Sequence, residues 1–335
     1  MKKTELKYCP STLREGFSTY SPLARQTLFG SRSRAISHVL PFESPGKNAE
    51  MTREYNEKRK NISISGVQEK YSLLLAKNDL KLTASRGTHI LKPVPAERLE
   101  RIEDMPANEH VTMQIASQLY GIKAAACGLI FFKDGSPAYI TKRFDYKSDG
   151  TKYQIEDFAT LMGKSPEKEG NDFKYNASFH DIAKLISKYV PAATVEMIRF
   201  FRLVAFNYLF ANGDAHLKNF SLMESDQGDY LLAPAYDLLC TSLHINDPDL
   251  ALNGGLYEGD IDAAAFSTHG CYTRQSFDIF AKKIGVPQSL AEKTLSDFVA
   301  WTKPAVEMIE RSFLSAASKT KYIEILSQRR RRLLL

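Results

Sequence analysis

Cysteine is scarce in this chain: Cys9, Cys127, Cys240 and Cys271 are the only four in 335 residues. None forms a C-x-x-C pair or joins a histidine cluster. That excludes a disulfide-stapled scaffold and a zinc ribbon, and reads as ordinary thiols of a reducing compartment. There is one tryptophan, and no G-x-x-x-x-G-K-[ST] or G-x-G-x-x-G loop, so the two commonest glycine-rich phosphate grips are missing. Long hydrophobic runs are missing too. The most apolar stretch, residues 200–211, is interrupted by Arg202 and Asn207, well short of the roughly 20 apolar residues of a membrane span. The basic start Met1-Lys2-Lys3 has no apolar segment behind it and does not read as a signal peptide. A cytoplasmic protein with no membrane partner is expected. Charge of one sign is not in large excess: 45 Lys+Arg against 39 Asp+Glu give +6. That is a mild lean toward polyanions and not the footprint of strong direct nucleic-acid binding.

What is present is ordinary for a soluble globular chain: 43% apolar and 25% charged residues. The length suits two domains or two lobes. Residues 1–60 are rich in Ser, Pro, Arg and Lys and read as an irregular N-terminal segment, with one short helix around residues 49–58. Residues 61–150 read as a β-rich lobe. Strand-like runs 71–76 and 80–84 flank a turn at Lys77-Asn78-Asp79, and 89–93 is a third strand. A helix capped by Asn108, with Val111, Ile115 and Leu119 on one face, stops at Gly121. Strands 128–133 and 138–145 then flank Asp134-Gly135. Residues 151–335 read as a helical lobe, with helices over 180–190, 194–210, 274–284, 289–309 and 322–335. The fold class is therefore α+β, two-lobed, with the chemistry expected between the lobes.

The chemistry-bearing residues follow the most apolar helix. Asp214-Ala215-His216-Leu217-Lys218-Asn219 comes directly after it, and Asp237 lies eighteen residues beyond Asn219. Phosphoryl transfer needs an Asp near the acceptor hydroxyl, and Asn and Asp oxygens to hold Mg²⁺ on the triphosphate of ATP. The spacing Asp-x4-Asn followed by a metal Asp after a hairpin is that of kinase catalytic and metal loops. Lys218 is placed to reach γ-phosphate oxygens. A kinase also needs a strand lysine on the phosphates and a helix glutamate to orient it. Lys92 on the third strand and Glu109 at the head of the helix stand in that order. The phosphate loop is the discordant part. Ser65, Gly66, Val67, Gln68, Glu69 and Lys70 offer a hydroxyl, one glycine, an amide and a lysine that could cradle phosphates.

Seven blocks make a family resemblance specific: residues 65–70, Leu91-Lys92-Pro93, Asn108-Glu109, Arg143-Phe144-Asp145, Glu156-Asp157-Phe158, Asp214-x-His216-x-Lys218-Asn219 and Pro234-x-Tyr236-Asp237. In this order they resemble the HipA family of toxin serine/threonine protein kinases, most closely its shorter HipT-like branch. The resemblance implies a two-lobed, protein-kinase-like fold. It makes Asp214 the catalytic base, Asn219 and Asp237 the Mg²⁺ ligands, and Lys92 the phosphate-binding lysine oriented by Glu109. The backbone of Lys142, Arg143 and Phe144 would form the adenine edge. The 65–70 loop and His216, Leu217 and Lys218 would contact ATP. It also implies autophosphorylation at Ser63, with Ser65 as a second acceptor; a phosphate there adds about −1.5 to −2 of charge beside the nucleotide. The implied substrate is an aminoacyl-tRNA synthetase, tryptophanyl in the HipT-like branch. The implied partners are a separate small antitoxin resembling the HipA N-terminal subdomain, and a helix-turn-helix DNA-binding protein.

Two other readings share some of these residues. A small-molecule kinase of the aminoglycoside or choline type also uses Asp-x4-Asn, but such enzymes usually carry His where Asn212 stands and lack the 66–70 block. A non-catalytic nucleotide-binding scaffold in a repressor complex would use the run Arg329–Arg332 on nucleic acid. Four arginines at a helix end also read as solvated or as complementing the helix dipole.

Overall fold

The computed structural model describes residues 6–45, 69–96, 99–147 and 149–335. The expected helix over 49–58 and the loop residues Ser63, Ser65, Gly66, Val67 and Gln68 lie outside the described residues. The chain divides into two compact units. One comprises Met1–Gln114, Ala125–Phe144 and Glu307–Lys319; the other comprises Ile115–Ala124, Asp145–Val306 and Thr320–Leu335. Among the described residues no helix is long and apolar enough to cross a membrane.

The first unit is built on one antiparallel sheet. Its strands are β1 (Tyr71–Ala76), β2 (Asp79–Leu82), β3 (His89–Pro93), β4 (Cys127–Phe131) and β5 (Pro137–Lys142), in the order β2-β1-β3-β5-β4. The β1–β2 hairpin turns at Lys77-Asn78, with Ala76 paired to Asp79 and Lys77 at φ +56°. The β4–β5 connection turns at Asp134-Gly135. There Gly135 takes φ +88°, and Asp134 Oδ1 accepts from the Ser136 N–H at 2.8 Å. The helix Met105–Gln118 lies between β3 and β4 in sequence. It starts four residues earlier than a cap at Asn108 suggests, with Pro106 tolerated in its first turn. Asn108 is thus inside the helix and not its cap, and its carbonyl accepts from the Thr112 hydroxyl at 2.8 Å.

The N-terminal segment is not a loose lead-in. Residues 22–29 (Pro22–Phe29) form a helix: Ser21 Oγ accepts from the Ala24 N–H, proline opens it, and Gly30 at φ +79° ends it. Eight residues give too few turns for a 3.6-residue apolar period to show in the sequence. Leu28 and Phe29 are buried with Leu73, Leu91, Ile130 and Phe132 of the sheet region. The same segment covers β4, an edge strand. The Leu129 N–H donates to Pro10 O at 2.6 Å, the Tyr20 hydroxyl to Leu129 O at 2.6 Å, and the Phe131 N–H to His38 O at 2.8 Å. An edge that would otherwise expose unpaired backbone groups is closed.

The second unit centres on the helix Ala193–Leu209, where Phe200, Phe201, Val204, Ala205, Phe206, Tyr208 and Leu209 are fully buried. Phe179 and Phe280 pack on Phe200, Phe277 on Tyr208, and Tyr120 on Phe206. The helix Phe179–Tyr189 is started by a reciprocal cap between Ser178 and Asp181. A small antiparallel sheet joins β6 (Ile155–Asp157), β7 (Ser221–Glu224) and β8 (Tyr230–Leu232) in that order. Where the sequence pattern suggests one helix over 289–309, there are two, Gln288–Ala300 and Thr302–Arg311, broken at Trp301. Pro304 has no N–H to give to the carbonyl four residues back, so the helix restarts with the proline in its first turn. In the final helix, Ala316–Arg332, Arg329 and Arg332 both pair with Asp249, at 2.6 and 2.7 Å. With Arg330 Nε donating to Val299 O at 3.4 Å, three of the four arginines are bonded inside this unit.

Candidate active site

The helix Ala193–Leu209 hands the chain to the segment 212–219 through Ala211 at φ +51°, a left-handed conformation that costs a residue with a β-carbon. The segment is braced from behind. Asn212 Nδ2 donates to Asn207 Oδ1 at 2.8 Å, and the Gly213 N–H donates to Thr241 Oγ1 at 2.8 Å. Thr241 in turn contacts the Asp247 carboxylate, which also accepts from Ser242 Oγ at 2.8 Å. Asn212, His216 and Leu217 are buried. The Asp214 side chain, by contrast, is 47% exposed: a carboxylate carried to solvent on a rigid base.

Asp214 Oδ1 accepts from the Tyr175 hydroxyl at 2.7 Å and lies 4.0 Å from His216 Nε2. Burial lowers the His216 imidazole to about 4 despite the neighbouring Asp214, so the ring is neutral at pH 7. The ring packs edge-on against Tyr175, and its buried Nδ1 has no hydrogen-bond partner among the described residues.

Asn219 sits one short turn further on. Its Oδ1 accepts from the His216 N–H at 3.2 Å, and its Nδ2 donates to Asp237 Oδ2 at 3.3 Å. Asp237 is held at φ +55°. Next to it, the Tyr236 hydroxyl ties β7 to the loop, lying 2.6 Å from Ser221 Oγ and donating to Lys218 O at 2.9 Å. The Asn219 amide faces Asp237 with its nitrogen, so it is Oδ1, which here accepts from the His216 N–H, that would join Asp237 as one of the one or two protein ligands Mg²⁺ takes when nucleotide oxygens and water complete its shell. Among the described residues no group of three or more His, Cys, Asp or Glu is arranged to hold a metal.

Lys218 Nζ pairs with Asp157 Oδ2 at 2.6 Å. Asp157 also caps the helical turn Phe158–Leu161 by accepting from the Thr160 N–H. The register Asp157↔Ser221 between β6 and β7 brings these two segments together. Reaching a phosphate would require Lys218 to leave this partner.

In the first unit, Lys92 Nζ on β3 meets Glu109 Oε1 of the helix Met105–Gln118 at 2.6 Å, with both side chains at most 5% exposed. Lys92 Nζ also lies 5.3 Å from the centre of the Tyr139 ring. Two charges this deeply buried are tolerated only because they are paired. Of the expected adenine edge, the Lys142 N–H donates to Ala126 O at 2.8 Å and the Arg143 N–H to Thr88 O at 3.0 Å. Glu69 Oε2 accepts from the Tyr71 hydroxyl at 2.5 Å, and Lys70 leads into β1. The structure thus brings together Asp214, His216, Asn219 and Asp237 within one unit, and Lys92 with Glu109 in the other. Sequence reasoning missed Tyr175, Thr241 and Asp247, which carry no spacing signal, and found no role for Asp157.

The architecture is α+β and protein-kinase-like. It is similar to HipA in a Shewanella oneidensis toxin–antitoxin complex with HipB and operator DNA, with a TM-score of 0.64 at 21% identity, over 90% of this chain and 74% of that one. A family model described as HipA-like C-terminal domain matches residues 62–306, and the chain belongs to that family. Its curated relatives include a Haemophilus influenzae protein with a provisional kinase name, 29% identical over 290 residues and 83% of each chain. The serine/threonine-protein kinase toxin HipA of Shewanella oneidensis is 26% identical over 200 residues, 55% of this chain and 44% of that protein.

Proposed function

We propose that the chain is an ATP-dependent serine/threonine protein kinase of toxin type. The observation that carries this is the apposition of Asn219 and Asp237, 3.3 Å apart, on the loop system that also presents Asp214. In this reading Asp214 accepts the proton of the attacking seryl hydroxyl while the γ-phosphoryl group passes to that oxygen, its bond to the β–γ bridging oxygen breaks and ADP leaves. Lys92, steadied by Glu109, neutralises the α- and β-phosphates. Asn219 and Asp237 would hold Mg²⁺, which supplies charge neutralisation on the phosphates. The adenine would lie along the backbone of residues 142–144. The nucleotide would also be touched by residues 65–70 and 216–218, and Lys218 would exchange Asp157 for a phosphate oxygen.

The family supports further readings. The protein substrate would be an aminoacyl-tRNA synthetase, the tryptophanyl enzyme, whose modification inhibits translation in the cytoplasm. Ser63 and Ser65 would be autophosphorylation sites that shut the enzyme down. A separate small antitoxin and a helix-turn-helix DNA-binding protein would be its partners, a reading supported by the complex of the Shewanella HipA with HipB and DNA. The family match favours this over the aminoglycoside-type kinase.

Calorimetric titration with ATP and Mg²⁺ tests the nucleotide site. Lys92→Met combined with Glu109→Gln leaves no buried charge alone and is expected to weaken binding at least about tenfold, the equivalent of one charge-assisted contact. ATP binding that is absent in the wild type, or equal in the two proteins, contradicts the assignment.

A further inference from the structure

Tyr175 closes the short turn Phe173–Tyr175 in the second unit, 39 residues before Asp214 in the chain. Its position is fixed through the backbone: its N–H donates to Asp172 O at 2.9 Å, and its carbonyl accepts from the Asn253 N–H at 2.9 Å. The ring is fixed as well. It meets the buried His216 ring edge-on, with centroids 5.4 Å apart at 71°, and Lys174 Nζ lies 5.0 Å from its centre. From this fixed place the hydroxyl donates to Asp214 Oδ1 at 2.7 Å. Oδ1 is also the oxygen nearer His216 Nε2. Asp214 Oδ2 has no hydrogen-bond partner among the described residues.

We propose that Tyr175 is the positioning residue for Asp214: its hydroxyl holds Oδ1, so that Oδ2 is the oxygen presented to the acceptor hydroxyl. This rests on the reading of Asp214 as the base. A carboxylate 47% exposed at a loop surface would otherwise sample several rotamers. A base must be within about 3 Å of the proton it takes, in the right direction, to be effective. The phenol is suited to the task. Burial and the contact with Asp214 both push its pKa up, so it remains a donor throughout the physiological range.

The test is single-turnover phosphate transfer by the full chain to its own serines, with ATP and Mg²⁺ varied, for wild type and Tyr175→Phe. The substitution removes one oxygen and keeps the ring against His216; equal melting temperatures verify the fold. The maximal rate is expected to fall about tenfold, the rate equivalent of one hydrogen bond to a charged group, while the half-saturating ATP concentration stays unchanged. An unchanged maximal rate overturns the proposal. So does a rise, which would make the hydroxyl a plug in the acceptor position, and so does a loss expressed only in half-saturating ATP. A wild type that binds ATP and transfers nothing removes the kinase reading itself, whereas an active wild type with an equally active Phe variant removes only the role of Tyr175.

Discussion

Gly213 stands where no side chain fits. A β-carbon there would lie 2.5 Å from the Pro248 carbonyl oxygen, and closer still to the Asp247 carboxylate. A side chain can swing aside, but a backbone carbonyl in a packed turn cannot, so the loop itself would have to move. Gly213→Ala is therefore expected to destabilise the chain by about 1–3 kcal/mol, as overpacking of a tight site does, and to displace the neighbouring Asp214. Urea unfolding of the variant checks this; a midpoint equal to the wild type's would show that the loop has room the geometry denies. Asp237 makes a related point. Its φ of +55° is a conformation that an Asp tolerates better than most side chains, so the residue suited to holding an ion also suits the backbone that aims it.

At the scale of elements, the N-terminal segment is pinned to its unit by two buried histidines. His89 Nε2 on β3 donates to Leu28 O at 2.8 Å, and His110 Nε2 donates to Ser11 O at 2.7 Å. Burial lowers both imidazoles to about 4, in spite of these bonds. In the unfolded chain they protonate near 6.5. Between those values the unfolded state binds more protons, so stability present at neutral pH is lost as the pH falls from about 6.5 toward 4. The thermal midpoint is expected to drop between pH 7 and pH 5. His89→Gln and His110→Gln are expected to flatten that slope, and slopes equal to the wild type's would contradict it.

This pinning also shows what the sequence could not reveal. The strands 71–76 and 89–93 are legible as short apolar runs beside turn residues and a proline, and the helix 193–209 as an apolar run too long for a strand. The Pro22–Phe29 helix is too short for that, and the covering of β4 depends on backbone bonds to Pro10 and His38, which leave no mark on side-chain type. Pro304 marks the break at Trp301, but the apolar period on either side of it reads as one continuous helix.

At the scale of the whole molecule, the legible part of the site is the part that chemistry requires at fixed spacing. Asp214, Asn219 and Asp237 sit close in sequence because one loop and one hairpin carry them, and Lys92 and Glu109 follow strand and helix in order. The structure joins the last two at 2.6 Å, a pairing that seventeen residues of separation suggest but cannot prove. The illegible part is support from a distance: Tyr175, Thr241 and Asp247 reach the loop through the fold, and nothing in their neighbours announces it. The basic C-terminal run is another such case. In the sequence four consecutive arginines could be a polyanion patch, whereas Asp249 engages two of them.

The central claim is that this chain transfers phosphate from ATP to a serine using Asp214. Intact mass and phosphopeptide mapping after incubation of fresh, unmodified protein with Mg²⁺ and ATP tests it most directly, with Asp214→Asn in parallel. The account predicts mass steps of one phosphate on the wild type, mapping to Ser63 or Ser65, and none on the variant. Phosphate on both proteins alike, or on neither although both bind ATP, would contradict it.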